Sequence, residues 1–200
     1  MKVVGLGGPP GSGKSAVAGK LAQRPRTAWV ELDRVAWDCY RPGSDTFHRL
    51  AERFGESILS ADGTIDRARL AEAAFASDRS QGDLEAIVHP AVTAALRRLI
   101  EERRAGGDEL LLVEGALLGI SAAVDYALFD VVLWLDADEA VRRDRLAREG
   151  RREHARRWTE RAFVIPVRRI DAARPLGDVA AAIRKEISRL AASADGSGDR

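Results

Sequence analysis

Lysine is nearly absent from this 200-residue chain: of 32 basic residues, only Lys2, Lys14, Lys20 and Lys185 are not arginine. A lysine at a chemically meaningful position therefore stands out. Cysteine is scarcer still, and the single Cys39 excludes both a disulfide framework and a zinc site built on thiolates. Cys39 reads as a small apolar side chain rather than a nucleophile. Charge of one sign is missing too. The 32 basic and 31 acidic residues leave a net charge of +1, so no overall field gathers nucleic acid or an anionic membrane. No apolar run approaches the ~20 residues of a membrane-spanning helix. The chain enters Lys2-Val3-Val4-Gly5-Leu6 without a leader pattern, which predicts a cytoplasmic protein. What remains is globular composition, 46% hydrophobic and 32% charged, at a length that suits one domain.

Short apolar runs bounded by Gly, Pro or Asp mark five strand candidates: 3–6, 28–32, 110–113, 131–135 and 167–170. Helical stretches separate them, the first over 15–23. That alternation predicts an α/β fold with a five-stranded parallel sheet flanked by helices. The long stretch between the second and third candidates contains no strand pattern. It reads as helices over 46–54, 67–76 and 84–104, the last with Pro90 near its start, and a turn at Asp62-Gly63-Thr64. An all-helical insert on such a sheet suits a cap over a substrate. The expected organisation is one domain, with 1–40 and 106–200 as nucleotide-binding core, 41–105 as substrate-binding insert, and a lid over 148–160.

The strongest chemical signal is Gly8-Pro9-Pro10-Gly11-Ser12-Gly13-Lys14-Ser15, a full match to the phosphate-loop pattern GxxxxGK[ST]. It follows a strand and opens a helix. Its glycines let backbone N–H groups wrap a polyphosphate, and the helix start at Ala16 adds partial positive charge. Lys14 then addresses the β- and γ-phosphates of ATP, and the Ser15 hydroxyl ligates Mg²⁺. Asp33, after the second strand, falls at the sheet edge where ligands of open α/β sheets bind. A carboxylate there takes a proton from an attacking hydroxyl, or holds Mg²⁺ through water. It also serves as a helix cap. Glu114 ends the third strand after four apolar residues, the form of a second carboxylate organising the metal through water.

The segment 142–157 holds eight arginines. Most have acidic neighbours and read as a solvated, ion-paired helix. On a continuous helix Arg148, Arg152 and Arg156 would line one face. One or two of these arginines suit a closing lid that brings positive charge to a transferred phosphoryl group, with Gly150 as its bend. Trp29, Trp134 and Trp158 read as packing residues, and His89 as a helix-start cap or a substrate contact.

Beyond the phosphate loop, five landmarks occur in order: Arg41-Pro42-Gly43-Ser44, Arg53-Phe54-Gly55-Glu56, Asp62-Gly63-Thr64-Ile65-Asp66-Arg67, Phe75-Ala76 and Ile87-Val88-His89-Pro90. On these, residues 2–150 resemble the dephospho-coenzyme A kinases. The resemblance implies ATP-dependent, Mg²⁺-assisted phosphorylation of the ribose 3′-hydroxyl of a small-molecule acceptor, dephospho-CoA. It puts Asp33 on the proposed base, with Glu31 replacing the first Asp of the family's DAD motif. It puts Arg67 and His89 on positions facing the CoA moiety, and Arg145 and Arg148 on the helix entering the lid. Base contacts fall near Ala172 to Pro175, Arg174 among them. Three stretches depart from the family. Glu114 to Ile120 replaces a Pro-Leu-Leu-Phe-Glu run, Arg156 to Val167 lacks the lid's usual Gln-containing and Arg-Glu-Glu-Lys-like segments, and Ala172-Ala173-Arg174-Pro175 is more like nucleoside and nucleotide kinases. Val113-Glu114-Gly115 also resembles uridine kinase. A nucleoside kinase and an acceptor-free ATP-binding switch therefore stand as alternatives.

Overall fold

The computed structural model describes residues 1–151, 158 and 161–195, with side chains through 190. Strands β1 (Lys2–Gly7), β2 (Thr27–Glu31), β3 (Leu110–Glu114), β4 (Val131–Asp136) and β5 (Arg168–Asp171) form one parallel sheet in the order β2-β3-β1-β4-β5. The chain leaves β1 in one direction for β2 and later crosses to β4 on the other side. That reversal puts a ligand-binding crevice beyond the carboxyl end of β1.

Alternate residues of the central strands explain one layer of the core. Val4, Leu6, Leu112, Leu133 and Leu135 are fully buried against Val17, Ala18 and Leu21 of helix α1 (Lys14–Ala22). Val179, Ala180 and Ile183 of the C-terminal helix α7 (Leu176–Asp195) close the same face. Burying a Val or Leu side chain is worth roughly 1.5–3 kcal/mol, so this cluster anchors the loops at the strand ends.

The chain divides into two compact units. The sheet unit comprises Met1–Glu31, Arg103–Ala122 and the chain from Tyr126 onward; the helical unit comprises Leu32–Glu102 and Ala123–Asp125. The helical unit contains α2 (Leu32–Cys39), α3 (Asp45–Phe54), α4 (Arg67–Ala74) and most of α5 (Asp78–Ala105). Its own core joins Leu50, Ile58, Ile65, Leu70 and Ile87. Ser44 caps α3 by accepting from the Phe47 N–H at 3.0 Å, and Asp66 caps α4 by accepting from Ala68 and Arg69. The one β feature described in this unit is an antiparallel bridge between Leu59 and Ile65, which closes the turn read at Asp62-Gly63-Thr64.

Four readings are corrected. The second strand stops at Glu31, so Leu32 and Asp33 belong to the first turn of α2. The sequence offered α2 only through the reading of Asp33 as a helix cap, and the helix starts one residue before it, directly after the strand. Helix α5 begins at Asp78, where the Ser77 hydroxyl accepts from the Ser80 N–H, and Pro90 lies inside it. Proline removes one helical hydrogen bond, and a helix this long absorbs the loss. His89 is accordingly a mid-helix residue and no cap. Helix α6 (Glu139–Arg148) does not continue toward Arg152. It closes where Arg151 N–H donates to Leu146 O at 2.8 Å and Gly150, at φ +70°, donates to Ala147 O. That is a left-handed glycine stop. Arg152, Arg156, Arg157 and most of the expected lid lie outside the described residues.

Candidate active site

The sheet unit gathers its polar residues at the carboxyl ends of β1, β2 and β3. Gly13, in the left-handed region, precedes α1, whose first turn carries no acidic residue and whose start has no side-chain cap. The helix dipole is thus left available to an external anion. Lys14 reaches back over the loop and donates to Gly8 O at 2.8 Å and Pro9 O at 3.1 Å. Ser12 is almost fully buried, and its hydroxyl has no hydrogen-bond partner among the described residues. Donors held inside a glycine-lined loop fit a polyphosphate.

The loop is held from outside by α6. A Cβ on Gly11, at φ +79°, would sit 2.5 Å from the Arg142 carbonyl oxygen, so only glycine fits there. Arg142 is itself buried, and its Nε donates to Ala137 O at 3.1 Å. Arg145 donates to Gly11 O and Ser12 O at 3.4 and 3.3 Å, and to Ala172 O at 2.9 Å. One guanidinium therefore ties the phosphate loop to the segment after β5. Arg174 lies in that segment, exposed and 3.8 Å from Asp178. Arg148 is also exposed and pairs with Asp144 at 2.7 Å.

Glu114 is brought to Ser15. It is buried at the end of β3, in register with Leu6 of β1 and Glu31 of β2, and its Oε1 accepts from the Ser15 hydroxyl at 2.8 Å. The Ser15 hydroxyl and the Glu114 carboxylate are hard oxygen donors, the kind that suits a divalent cation with several waters.

The helical unit holds the other expected site residues. Asp33 lies in the first turn of α2, and Trp37 follows one turn later. The Arg67 guanidinium stands 3.7 Å over the Trp37 ring. The Tyr40 hydroxyl is pushed up to about 12, first by burial, with Arg67 opposing and the Asp33 carboxylate adding to it. Asp33, Tyr40 and Arg67 are thus electrostatic neighbours, a grouping that sequence reasoning missed apart from Asp33 and Arg67. The available signal was spacing, since Asp33, Trp37 and Tyr40 recur at helical intervals. His89 lines a groove of about 580 Å³ along α5 with Glu85, Thr93 and Arg97. Burial holds its pKa below the usual 6.5, against an upward pull from Glu85. Burial first, and then Asp38, raises the Cys39 thiol, which disfavours a reactive thiolate.

A family model described as dephospho-CoA kinase matches residues 2–168. The chain is 36% identical to a dephospho-CoA kinase of Corynebacterium diphtheriae over 143 residues, covering 72% of this chain and 71% of that one. It is 34% identical to a dephospho-CoA kinase of Cutibacterium acnes over 197 residues, covering 94% and 84%. The crystal structure of TT1252 from Thermus thermophilus superposes with a TM-score of 0.70 at 28% identity, covering 94% of this chain and 97% of that one.

Proposed function

Since the chain belongs to the dephospho-CoA kinase family, we propose that it transfers the γ-phosphoryl group of ATP to the ribose 3′-hydroxyl of dephospho-CoA, giving CoA and ADP. It is a phosphotransferase with ATP as co-substrate. The observation that carries the reading is the phosphate loop with Ser15 joined to the strand-end carboxylate Glu114.

In this reading the loop N–H groups and Lys14 hold the β- and γ-phosphates, Lys14 exchanging the Gly8 and Pro9 carbonyls for phosphate oxygens. Ser15 would ligate Mg²⁺ directly, and Glu114 would hold its waters. That ion, when bound, neutralises charge on the bridging phosphate oxygens. Asp33 accepts the proton of the 3′-hydroxyl as the O3′–P bond forms and the bond from phosphorus to the leaving ADP oxygen breaks. Arg145 keeps the loop carbonyls in place. Arg148 is assigned to the transferred phosphoryl group and Arg174 to the nucleotide side of the same site. Arg67 and His89 are assigned to the acceptor. The uridine-kinase reading, which rested on Val113-Glu114-Gly115 and the segment after β5, finds no better support in the comparisons.

The test is ADP release with four acceptor conditions: dephospho-CoA, uridine, cytidine and none. Turnover with dephospho-CoA alone is expected. Rapid turnover on a nucleoside without turnover on dephospho-CoA would overturn the assignment, and acceptor-independent hydrolysis would point to the switch.

A further inference from the structure

Trp37 has no role in the reaction as described so far, and its surroundings are not those of a packing residue. It is 40% exposed, whereas Trp134 is 6% exposed under the Phe163 ring. Exposing a ring of this size forgoes burial that folding would otherwise use. An arginine has been placed over it instead. The Arg67 guanidinium lies 3.7 Å from the ring centroid, well within cation–π range. Arg67 has no carboxylate partner among the described residues, so its charge is not already spent on an internal ion pair.

The position along the helix is the second observation. Trp37 follows Asp33 by four residues on α2, so the two side chains share a face about 6 Å apart. That separation is comparable to the distance between a nucleobase and the hydroxyls of its own ribose. Tyr40, just after α2, packs against the Leu50–Ile58 core, and burial raises its phenol, so it adds no third charge beside Asp33 and Arg67. An aromatic plane, a cation with free donors and a carboxylate therefore stand in one small area of the helical unit.

We infer that the Trp37–Arg67 pair is the platform for the acceptor's nucleobase and 5′-diphosphate, and that it presents the ribose hydroxyl to Asp33. This rests on the reaction proposed above. The base stacks on the exposed part of the pair, the guanidinium faces the diphosphate, and the ribose falls toward Asp33. The pair thereby selects acceptors that carry a nucleotide.

The inference is tested with Trp37→Ala and Trp37→Phe, each checked for an unchanged melting temperature. Trp37→Ala is expected to raise the KM for dephospho-CoA by about tenfold or more, the usual range for a lost base–aromatic stack. The KM for ATP should stay within about twofold, and Trp37→Phe should keep most of the acceptor affinity. Inhibition by 4′-phosphopantetheine, which lacks the nucleoside, should have the same Ki in all three proteins. Dephospho-CoA without ATP should quench tryptophan fluorescence in the wild type and much less in Trp37→Phe, a readout that stands even where Trp37→Ala fails to fold. A folded Trp37→Ala with wild-type acceptor KM, or an equal loss of 4′-phosphopantetheine affinity, overturns the platform and leaves the reaction standing. A wild-type protein inert toward dephospho-CoA overturns the reaction, and the platform with it.

Discussion

Lys14 has hydrogen bonds to two backbone carbonyls of its own loop, so removing it leaves acceptors as well as a lost charge. Lys14→Ala is expected to cut kcat by at least about 10²-fold, the scale for losing one preorganised charge at a phosphoryl centre. Lys14→Arg should not rescue it, since the planar guanidinium does not replace a compact ammonium between two carbonyls. Asp33 separates base from helix-start charge. Asp33→Asn keeps the side chain's size and loses only the carboxylate's attraction to the helix start, about 0.3–1 kcal/mol, so its melting temperature should fall by no more than a few degrees and its ATP affinity should match the wild type. Its kcat should fall by about 10²–10⁴-fold with little change in acceptor KM, because the amide takes no proton. Activity within a few-fold of wild type would return Asp33 to a structural role. Lys14 was singled out in the sequence by its motif, and Asp33 by an expected strand-end position that is instead the first turn of α2. The Arg145 contacts were not, because they join Gly11, Ser12 and Ala172 across more than a hundred positions of chain.

Among the elements, α6 shows what a single backbone angle decides. Gly150 stops it at φ +70°, and no described residue lies within 4 Å of where its Cβ would be. Gly150→Ala therefore tests conformation alone and should cost about 1–2 kcal/mol, read by denaturant unfolding, with no steric contribution. Gly11→Ala is a different case, since its Cβ would press on the Arg142 carbonyl. ATP affinity should fall with it, because loop and α6 would have to separate. Four strands were readable because each is a short, largely apolar run ending at a carboxylate or glycine, as at Glu114 and Asp136, whereas β5 buries only Ile170. Helix α2 was overlooked although Leu32, Val35, Ala36 and Cys39 recur at helical spacing, because the second strand was extended through Leu32 and α2 follows it without a break. The start of α5 was misplaced because Pro90 resembles a first-turn residue. The actual start lies at the Ser77 cap, thirteen positions earlier in the chain.

On the scale of the whole molecule, one titration is expected to show in stability. The folded chain holds His89 below the 6.5 of the unfolded chain, chiefly by burial. Between 6.5 and that lower value the unfolded state binds a proton that the folded state does not. Stability should therefore decline as pH falls through this window, level off below it, and show no contribution from His89 at higher pH. A His89→Gln variant should lack this part of the acid-side slope in melting temperature. The family landmarks that identified the acceptor all fall within 41–90, in the helical unit. The phosphate loop falls in the sheet unit, and alone it would have left the acceptor open. The most direct measurement is therefore the position of the new phosphate. After incubation with ATP, Mg²⁺ and dephospho-CoA, a proton–phosphorus correlation spectrum should show one new phosphomonoester coupled to the ribose H3′, with one ADP formed per product. A phosphate at another hydroxyl, or no product under conditions where uridine is phosphorylated, would contradict it.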